Sequence, residues 1–233
     1  MPSIVNIAAQ ALQRRIIDGE FPVGSALPSQ RELAEQLLIS RASLREAIST
    51  LETLGLVRSQ PGKGVFVTAG RQPDPTDPPR GTATMTPHAL MEFRAALEPA
   101  WSGLAALRID QAGRERLESI QQGMEDALKA CDLVMASDWD LRFHLCLAEL
   151  SGNPGLIDTA RLFREQIGHS LRLPFSNPAR IWEPADEHRQ IIEAVLAADP
   201  AGASRAMRGH LTASAGRIGL PSPFFDSLPE PRS

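Results

Sequence analysis

Four side chains in the C-terminal half have the types and spacing of a metal-ligand set. Asp140 and His144 stand at i and i+4, so on a helix they point the same way. His188 shares a helical face with Ile191, Ile192 and Val195, and His210 shares one with Ala203, Ala206 and Met207. Arg94 falls on the stripe of Leu90, Met91, Leu97 and Trp101, which sends a cation inward. An inward charge or imidazole is costly unless it is paired or ligated. Three imidazoles and a carboxylate suit a divalent transition metal and would leave positions open for water or a ligand. The same spacing fits a plainer arrangement: hydrogen-bonded core histidines on helices that need not meet, with Arg94 paired to Glu98 or Asp140 rather than to an anion. His88 and His169 have no supporting pattern, and Trp101, Trp139 and Trp182 read as core or rim packing.

Arginines near the N-terminus form a second chemical set. Arg41 and Arg45 open a run whose apolar members Leu44, Ala47, Ile48, Leu51 and Leu54 recur at helical spacing. Ser40 is placed to cap that helix and Gly55 to close it in the left-handed conformation. Just upstream, Ser29 and Glu32 make a capping box for a short helix that carries Arg31 and an apolar side of Leu33, Ala34, Leu37 and Leu38. Two helices joined by a tight turn read as helix-turn-helix. The second then presents Arg41 and Arg45 in its first two turns, where a recognition helix meets base edges in the major groove. A guanidinium suits that place because its planar fork can donate twice to guanine or grip a phosphate. After Gly55 the period shortens to Leu56-Val57-Arg58 and Val65-Phe66-Val67, divided by Gln60-Pro61-Gly62-Lys63-Gly64, which predicts a hairpin or wing. Surface arginines on a solvated helix are the bland alternative, and the caps and wing weigh against it.

The elements that must position these groups are mainly α. A first helix is expected over residues 3–18, ended by Gly19, and an extended connection stiffened by Pro22 and Pro28 leads to the capping box. Residues 70–86 are rich in proline and poor in apolar side chains, which describes a linker. Beyond it the pattern is helix after helix. Six are expected within residues 87–219, over about 87–108, 112–130, 133–150, 154–172, 184–198 and 200–218, the first with a possible bend at Pro99. Pro87, Pro154, Pro184 and Pro200 sit near starts, where a missing N–H costs nothing. Residues 220–233, with several prolines, read as a tail.

The net charge of −4 argues weakly against nucleic acid, but it is unevenly distributed. Residues 1–70 carry seven Lys/Arg against six Asp/Glu, and residues 71–233 carry 17 against 22. A nearly neutral head must bind phosphate through a local patch rather than an overall field. Cys131 and Cys146, in no CxxC arrangement, are expected to be reduced core thiols. No run is apolar and long enough to span a membrane and no signal peptide is indicated, so a cytoplasmic location is expected.

The ordered set Gly19, Pro22, Gly24, Leu27-Pro28-Ser29, Arg31-Glu32-Leu33-Ala34, Ser40-Arg41, Leu44-Arg45-Glu46-Ala47, Leu51, Gly55-Leu56-Val57 and Gly62-Lys63-Gly64 resembles the winged helix-turn-helix of the GntR family of bacterial transcription regulators. Leu38-Ile39 replaces the commoner Gly-Val before the serine. The resemblance implies that Arg31, Arg41 and Arg45 contact DNA and that Gly62 enters the minor groove, with Ser40, Ser43 and Lys63 completing the DNA-binding set. A second resemblance covers residues 85–218. Glu92-Phe93-Arg94, Leu97-Glu98-Pro99, Asp140 with Phe143-His144, Ser151-Gly152-Asn153-Pro154, Glu187-His188 and His210-Leu211 are similar to the all-helical ligand-binding domain of the FadR subfamily. It implies that Asp140, His144, His188 and His210 hold a metal, zinc or nickel by preference, and that Arg94 binds the carboxylate of a small organic acid. Six helices rather than seven would place the domain in the shorter, VanR-type branch.

The expectation is therefore a ligand-gated repressor or activator, a homodimer on a pseudo-palindromic operator, since one recognition helix reads only a few base pairs. Two rivals remain. One is a DNA-binding regulator with a purely structural metal and no effector. The other is a metal-dependent enzyme acting on a carboxylate, against which no general base or nucleophile stands near the motifs.

Overall fold

The computed structural model describes residues 3–68 and 85–224. The expected linker falls almost wholly on residues 69–84 and most of the expected tail on 225–233, outside the described residues.

Three helices and a hairpin make the N-terminal unit: α1 (Ile4–Ile17), α2 (Gln30–Gln36), α3 (Arg41–Thr53), β1 (Val57–Gln60) and β2 (Gly64–Val67). Each helix starts at a serine. Ser3 accepts from Asn6 N, Ser29 and Glu32 form the reciprocal box, and Ser40 accepts from Ser43 N. These caps satisfy amide groups that have no partner within the first turn. Gly55, at φ +71°, lets Leu56 N donate back to Leu51 O and so ends α3. The strands are antiparallel, Val57 opposite Val67 and Gln60 opposite Gly64. The chain before α2 lies along their edge, Leu27 N donating to Val65 O and Val67 N to Ser25 O. Leu12, Leu33, Leu44, Leu51, Leu54 and Val57 fill the centre. The turn between α2 and α3 holds Leu38 at φ +53° with 91% of its surface exposed. That conformation costs a residue with a β-carbon about 1–2 kcal/mol.

The C-terminal unit consists of α4 (Pro87–Arg108), α5 (Gln111–Lys129), α6 (Leu133–Leu150), α7 (Pro154–Leu162), α8 (Arg164–Arg172), α9 (Glu183–Leu196) and α10 (Pro200–Arg217), with two 3-10 turns between α8 and α9. Pro87, Pro154, Pro184 and Pro200 all lie in first turns, while Pro99 sits inside an α4 that continues past it. α10 lies along α4 and α9, and α6 lies against α4 and α5.

Three expectations need correction. The single helix expected over residues 154–172 is two, so seven α-helices are found here among the described residues, and the basis for the VanR-type branch is removed. Phe163 leaves helical geometry (φ −99°, ψ 15°) and places its ring 4.6 Å from that of Phe93. No glycine or proline announces that break; tertiary packing of an aromatic ring makes it. Cys131 is not a core thiol but an exposed residue at φ +54° in the turn before α6, whereas Cys146 is buried, which pushes its thiol up to about 11. The expected tail is packed at its start: Leu220 N donates to Ala215 O and Arg208 lies over the Phe224 ring. Among the described residues no helix is long and apolar enough to cross a membrane.

Head and bundle share buried surface. Val134, Met124 and Phe175 of the bundle join the apolar cluster that contains Leu12 and Leu51. Gln13, 2% exposed, donates to Cys131 O at 2.9 Å and accepts from Val134 N at 3.1 Å, so a side chain of α1 caps the first turn of α6. Gln13→Ala would strip both backbone groups of that partner and is expected to lower stability by about 1–3 kcal/mol. A urea midpoint equal to that of the parent protein would show that the head docks without this contact.

Candidate metal centre and DNA-reading face

Four helices converge on one buried point. α6 supplies Asp140 and His144, α9 supplies His188, α10 supplies His210, and α4 brings Arg94 and Glu98. The helical periodicity that put apolar residues beside His188 and His210 carries their imidazoles inward, and His144 joins them; all three are at most 2% exposed. One ring nitrogen from each histidine lies within 4.8 Å of the others. Asp140 Oδ1 is 3.2 Å from His144 Nε2 and 3.4 Å from His188 Nε2. The three histidines that spacing singled out are thus brought together, with Asp140 beside two of them but outside the cluster of mutually close donors.

The unsatisfied valences are concentrated at this point. Neither nitrogen of His188 has a hydrogen-bond partner, nor has His210 Nε2. Leaving such groups buried and unpaired costs about 1–3 kcal/mol each, and a divalent ion among the three imidazoles would satisfy His210 Nε2 and one nitrogen of His188. The residues present therefore fit the metal expected from the donor set. His188 is fixed by stacking on Phe143, ring centroids 3.8 Å apart and planes 20° apart.

Charge around the point is strongly organised. Burial disfavours the Glu98 carboxylate, but Arg94 and His144 override it and hold the group at about 2. Burial likewise opposes the Glu187 carboxylate, and hydrogen bonds from Arg217 and His210 bring it to about 2. His144 is raised, burial being outweighed by Glu98 and Asp140. His188 is pushed well below its ordinary value by burial and by the charges of His210, His144 and Arg94. His210 is lowered by burial despite its bond to Glu187. A neutral imidazole is the form that ligates, and the lowering of His188 and His210 favours it.

Arg94 is entirely buried and already engaged. Its Nε donates to Glu98 Oε1 at 2.7 Å, Nη2 to Glu98 Oε2 at 3.2 Å and Nη1 to Ser170 Oγ at 3.1 Å. Nη2 also lies 3.4 Å from His144 Nε2. Of the two roles that the sequence left open, the structure displays the pairing with Glu98. Sequence reasoning assigned no role to Glu187 or Arg217. The signal was available, since Arg217 follows His210 by two helical turns and Glu187 precedes His188, but pairing across helices is not visible in a linear pattern.

The other set lies on the head. Arg31, Arg41, Arg45, Gly62 and Lys63 are exposed, and the side chains of Arg31, Arg41, Arg45 and Lys63 make no hydrogen bond or ion pair to the described residues. Ser40 and Ser43 are engaged with one another, Oγ to Oγ at 2.9 Å, in the cap of α3. Gly62, at φ +72° with open space around it, forms the wing tip, where Lys63 N donates to Gln60 O. In the first turns of α3, Arg41, Ala42, Arg45 and Glu46 are left exposed by the other described residues.

A winged helix-turn-helix with unpaired arginines at the tip of its second helix, mounted on a helical sensor bundle, defines a DNA-binding transcription regulator. Comparison with known proteins gives the family. Residues 5–67 match the model of bacterial regulatory proteins of the gntR family, and residues 89–213 match the FCD domain. The chain belongs to the GntR family, in the FadR-like architecture with an effector-binding FCD domain. It is 32% identical over 211 residues to the putative L-lactate dehydrogenase operon regulatory protein of Escherichia coli K12, covering 85% of this chain and 80% of that one. It is 30% identical over 218 residues to the Glc operon transcriptional activator of the same strain, covering 89% and 86%. The fold is also that of E. coli McbR/YncC, at 19% identity and TM-score 0.53 over 94% of this chain and 98% of that one. The relatives are regulators, and this chain is a regulator rather than an enzyme.

Proposed function

We propose that this chain binds a pseudo-palindromic operator as a homodimer, and that a small carboxylate seated beside a divalent metal in the bundle sets its DNA affinity. Zinc or nickel suits the donor set of Asp140, His144, His188 and His210. The observation that supports the proposal is the convergence of three buried imidazoles, with both His188 nitrogens and His210 Nε2 lacking hydrogen-bond partners. The ion would supply Lewis-acid coordination for an effector oxygen. Arg94 lies beside that place, Nη2 within 3.4 Å of His144 Nε2. An incoming carboxylate could draw on it only by sharing the guanidinium with Glu98. One relative is named for an L-lactate dehydrogenase operon, which supports a small hydroxy acid as the class of ligand.

The signal path is α6. Its first turn holds the head through Gln13, and its middle carries Asp140 and His144. A ligand that favours one seating of α6 over another therefore biases the position of the reading heads. By linkage it releases DNA only if it binds the DNA-free form more tightly.

Protein purified without added metal is expected to hold about one divalent ion per chain by mass spectrometry, and His188→Ala to hold little. Metal-loaded protein should then shift in melting temperature and operator affinity with short hydroxy acids, and chelator-stripped protein should not. Full metal content in folded His188→Ala would refute the ligand assignment. A second reading, a structural ion without effector, is favoured by the engaged and fully buried state of Arg94. Metal uptake with no response to any short carboxylate decides for it.

A further inference from the structure

We infer that two buried arginine–glutamate pairs, Arg94–Glu98 and Arg217–Glu187, are matching positioning devices that turn the Nε2 atoms of His144 and His210 toward the proposed metal. The inference rests on the metal reading above and deepens it.

The two arrangements repeat one pattern on different helices. On α9 and α10, Arg217 clamps Glu187 with both ends of its fork, Nη1 to Oε1 at 2.6 Å and Nη2 to Oε2 at 2.8 Å. Glu187 Oε2 then meets His210 Nδ1 at 2.8 Å. On α4 and α6, Arg94 clamps Glu98 through Nε and Nη2, and Glu98 Oε2 lies 2.7 Å from His144 Nδ1. Both arginines are at most 1% exposed. In each case an arginine fixes a carboxylate, and that carboxylate faces the Nδ1 side of one member of the histidine cluster.

A carboxylate at Nδ1 selects the ring's proton position. It accepts from Nδ1–H, which leaves Nε2 with its lone pair free, the form that donates to a metal. The partnerless atom of His210 is Nε2; at His144 the Glu98 carboxylate lies close to Nδ1 without an aligned hydrogen bond, and Nε2 is the atom that faces Asp140 Oδ1. The arginine's two-point grip fixes the plane of the carboxylate and so the oxygen that is presented to the ring. Interhelical adhesion alone does not account for the pattern. Arg217 already has Glu183 Oε2 at 3.1 Å, and buried ion pairs add little to stability on their own. His188 has no such partner and is held by the Phe143 ring. Two carboxylates and one aromatic face thus fix three imidazoles.

Two measurements test this. Zinc affinity by chelator competition is expected to fall about 10–100-fold in Glu187→Gln, the usual effect of removing such a partner. Glu183→Gln, which loses a contact to Arg217 without touching His210, should stay within about twofold of wild type on the same argument. Equal affinities in the two variants would overturn the inference. Independently, nitrogen-15 NMR of histidine-labelled, metal-free wild type is expected to show His210 as the Nδ1–H tautomer, and an Nε2–H tautomer would overturn it even if Glu187→Gln fails to fold. Zinc uptake with the wrong tautomer refutes the positioning role alone. The Nδ1–H tautomer without zinc uptake refutes the metal reading and leaves the clamp as the orienting device of an ion-free cluster.

Discussion

Arg94→Ala is expected to lower the unfolding free energy by about 3–5 kcal/mol, the range for removing one partner of a buried ion pair. The loss comes less from the bond broken than from the charge left behind. Glu98 is fully buried, and Arg94 is the largest of the influences that keep it ionised against the effect of burial. The variant also opens a cavity where one of the largest fully buried side chains stood and leaves Ser170 Oγ without its donor. The pH dependence separates these causes. With Arg94 present, Glu98 is held at about 2 instead of 4.5, so its stabilisation is complete above 4.5 and is lost as pH falls toward 2. Without the arginine the carboxyl can neutralise itself at higher pH, and the deficit should be largest near neutrality and shrink below 4.5. Urea unfolding at pH 7 and about pH 3 checks this; equal deficits at both would assign the loss to packing alone. A guanidinium that served only as an effector hook would give a different result, with the variant near wild-type stability and unresponsive to carboxylates.

The head was legible in detail because its determinants are local. The serine caps, the box of Ser29 and Glu32, Gly55 after α3 and the wing turn at Gly62 each act within a few residues, and each forms the contact that its spacing implies. The centre in the bundle was legible for a different reason. His188 and His210 sit on otherwise apolar helical stripes and Asp140 and His144 stand at i and i+4, so the packing of three helices sends the imidazoles to a shared interior with Asp140 beside two of them. What the pattern could not supply is pairing across helices. The carboxylate that meets His210 comes from α9 and its arginine from the last turn of α10, and no periodicity ties Glu187 to Arg217. The break at Phe163 is similar, since a ring turning to meet Phe93 leaves no mark in the helical pattern. So is the seating of Gln13, whose partners stand 118 and 121 residues away in sequence.

The combined change Arg41→Ala and Arg45→Ala is expected to abolish specific operator binding while leaving the fold untouched. Each arginine that reads a guanine through two hydrogen bonds contributes about 1–3 kcal/mol of discrimination, and the proposed two-fold assembly would lose every contact twice. Nothing in the described fold should compensate or suffer: both side chains are exposed, neither has a partner among the described residues, and the α3 cap depends on Ser40 rather than on them. Stability should therefore stay within about 0.5 kcal/mol of wild type. The head's near balance of charge sharpens the test. With seven basic against six acidic residues in the first 70, no general field exists to retain DNA once the local patch is removed. Lys63→Ala serves as the contrast, since a phosphate contact at the wing should weaken all sequences alike and reduce the salt slope by about one. Fluorescence anisotropy on operator and scrambled duplexes, at matched salt, distinguishes the two effects. Specific affinity unchanged in the double variant would remove the tip of α3 from the groove, and with it the direction in which any movement of α6 could act on DNA.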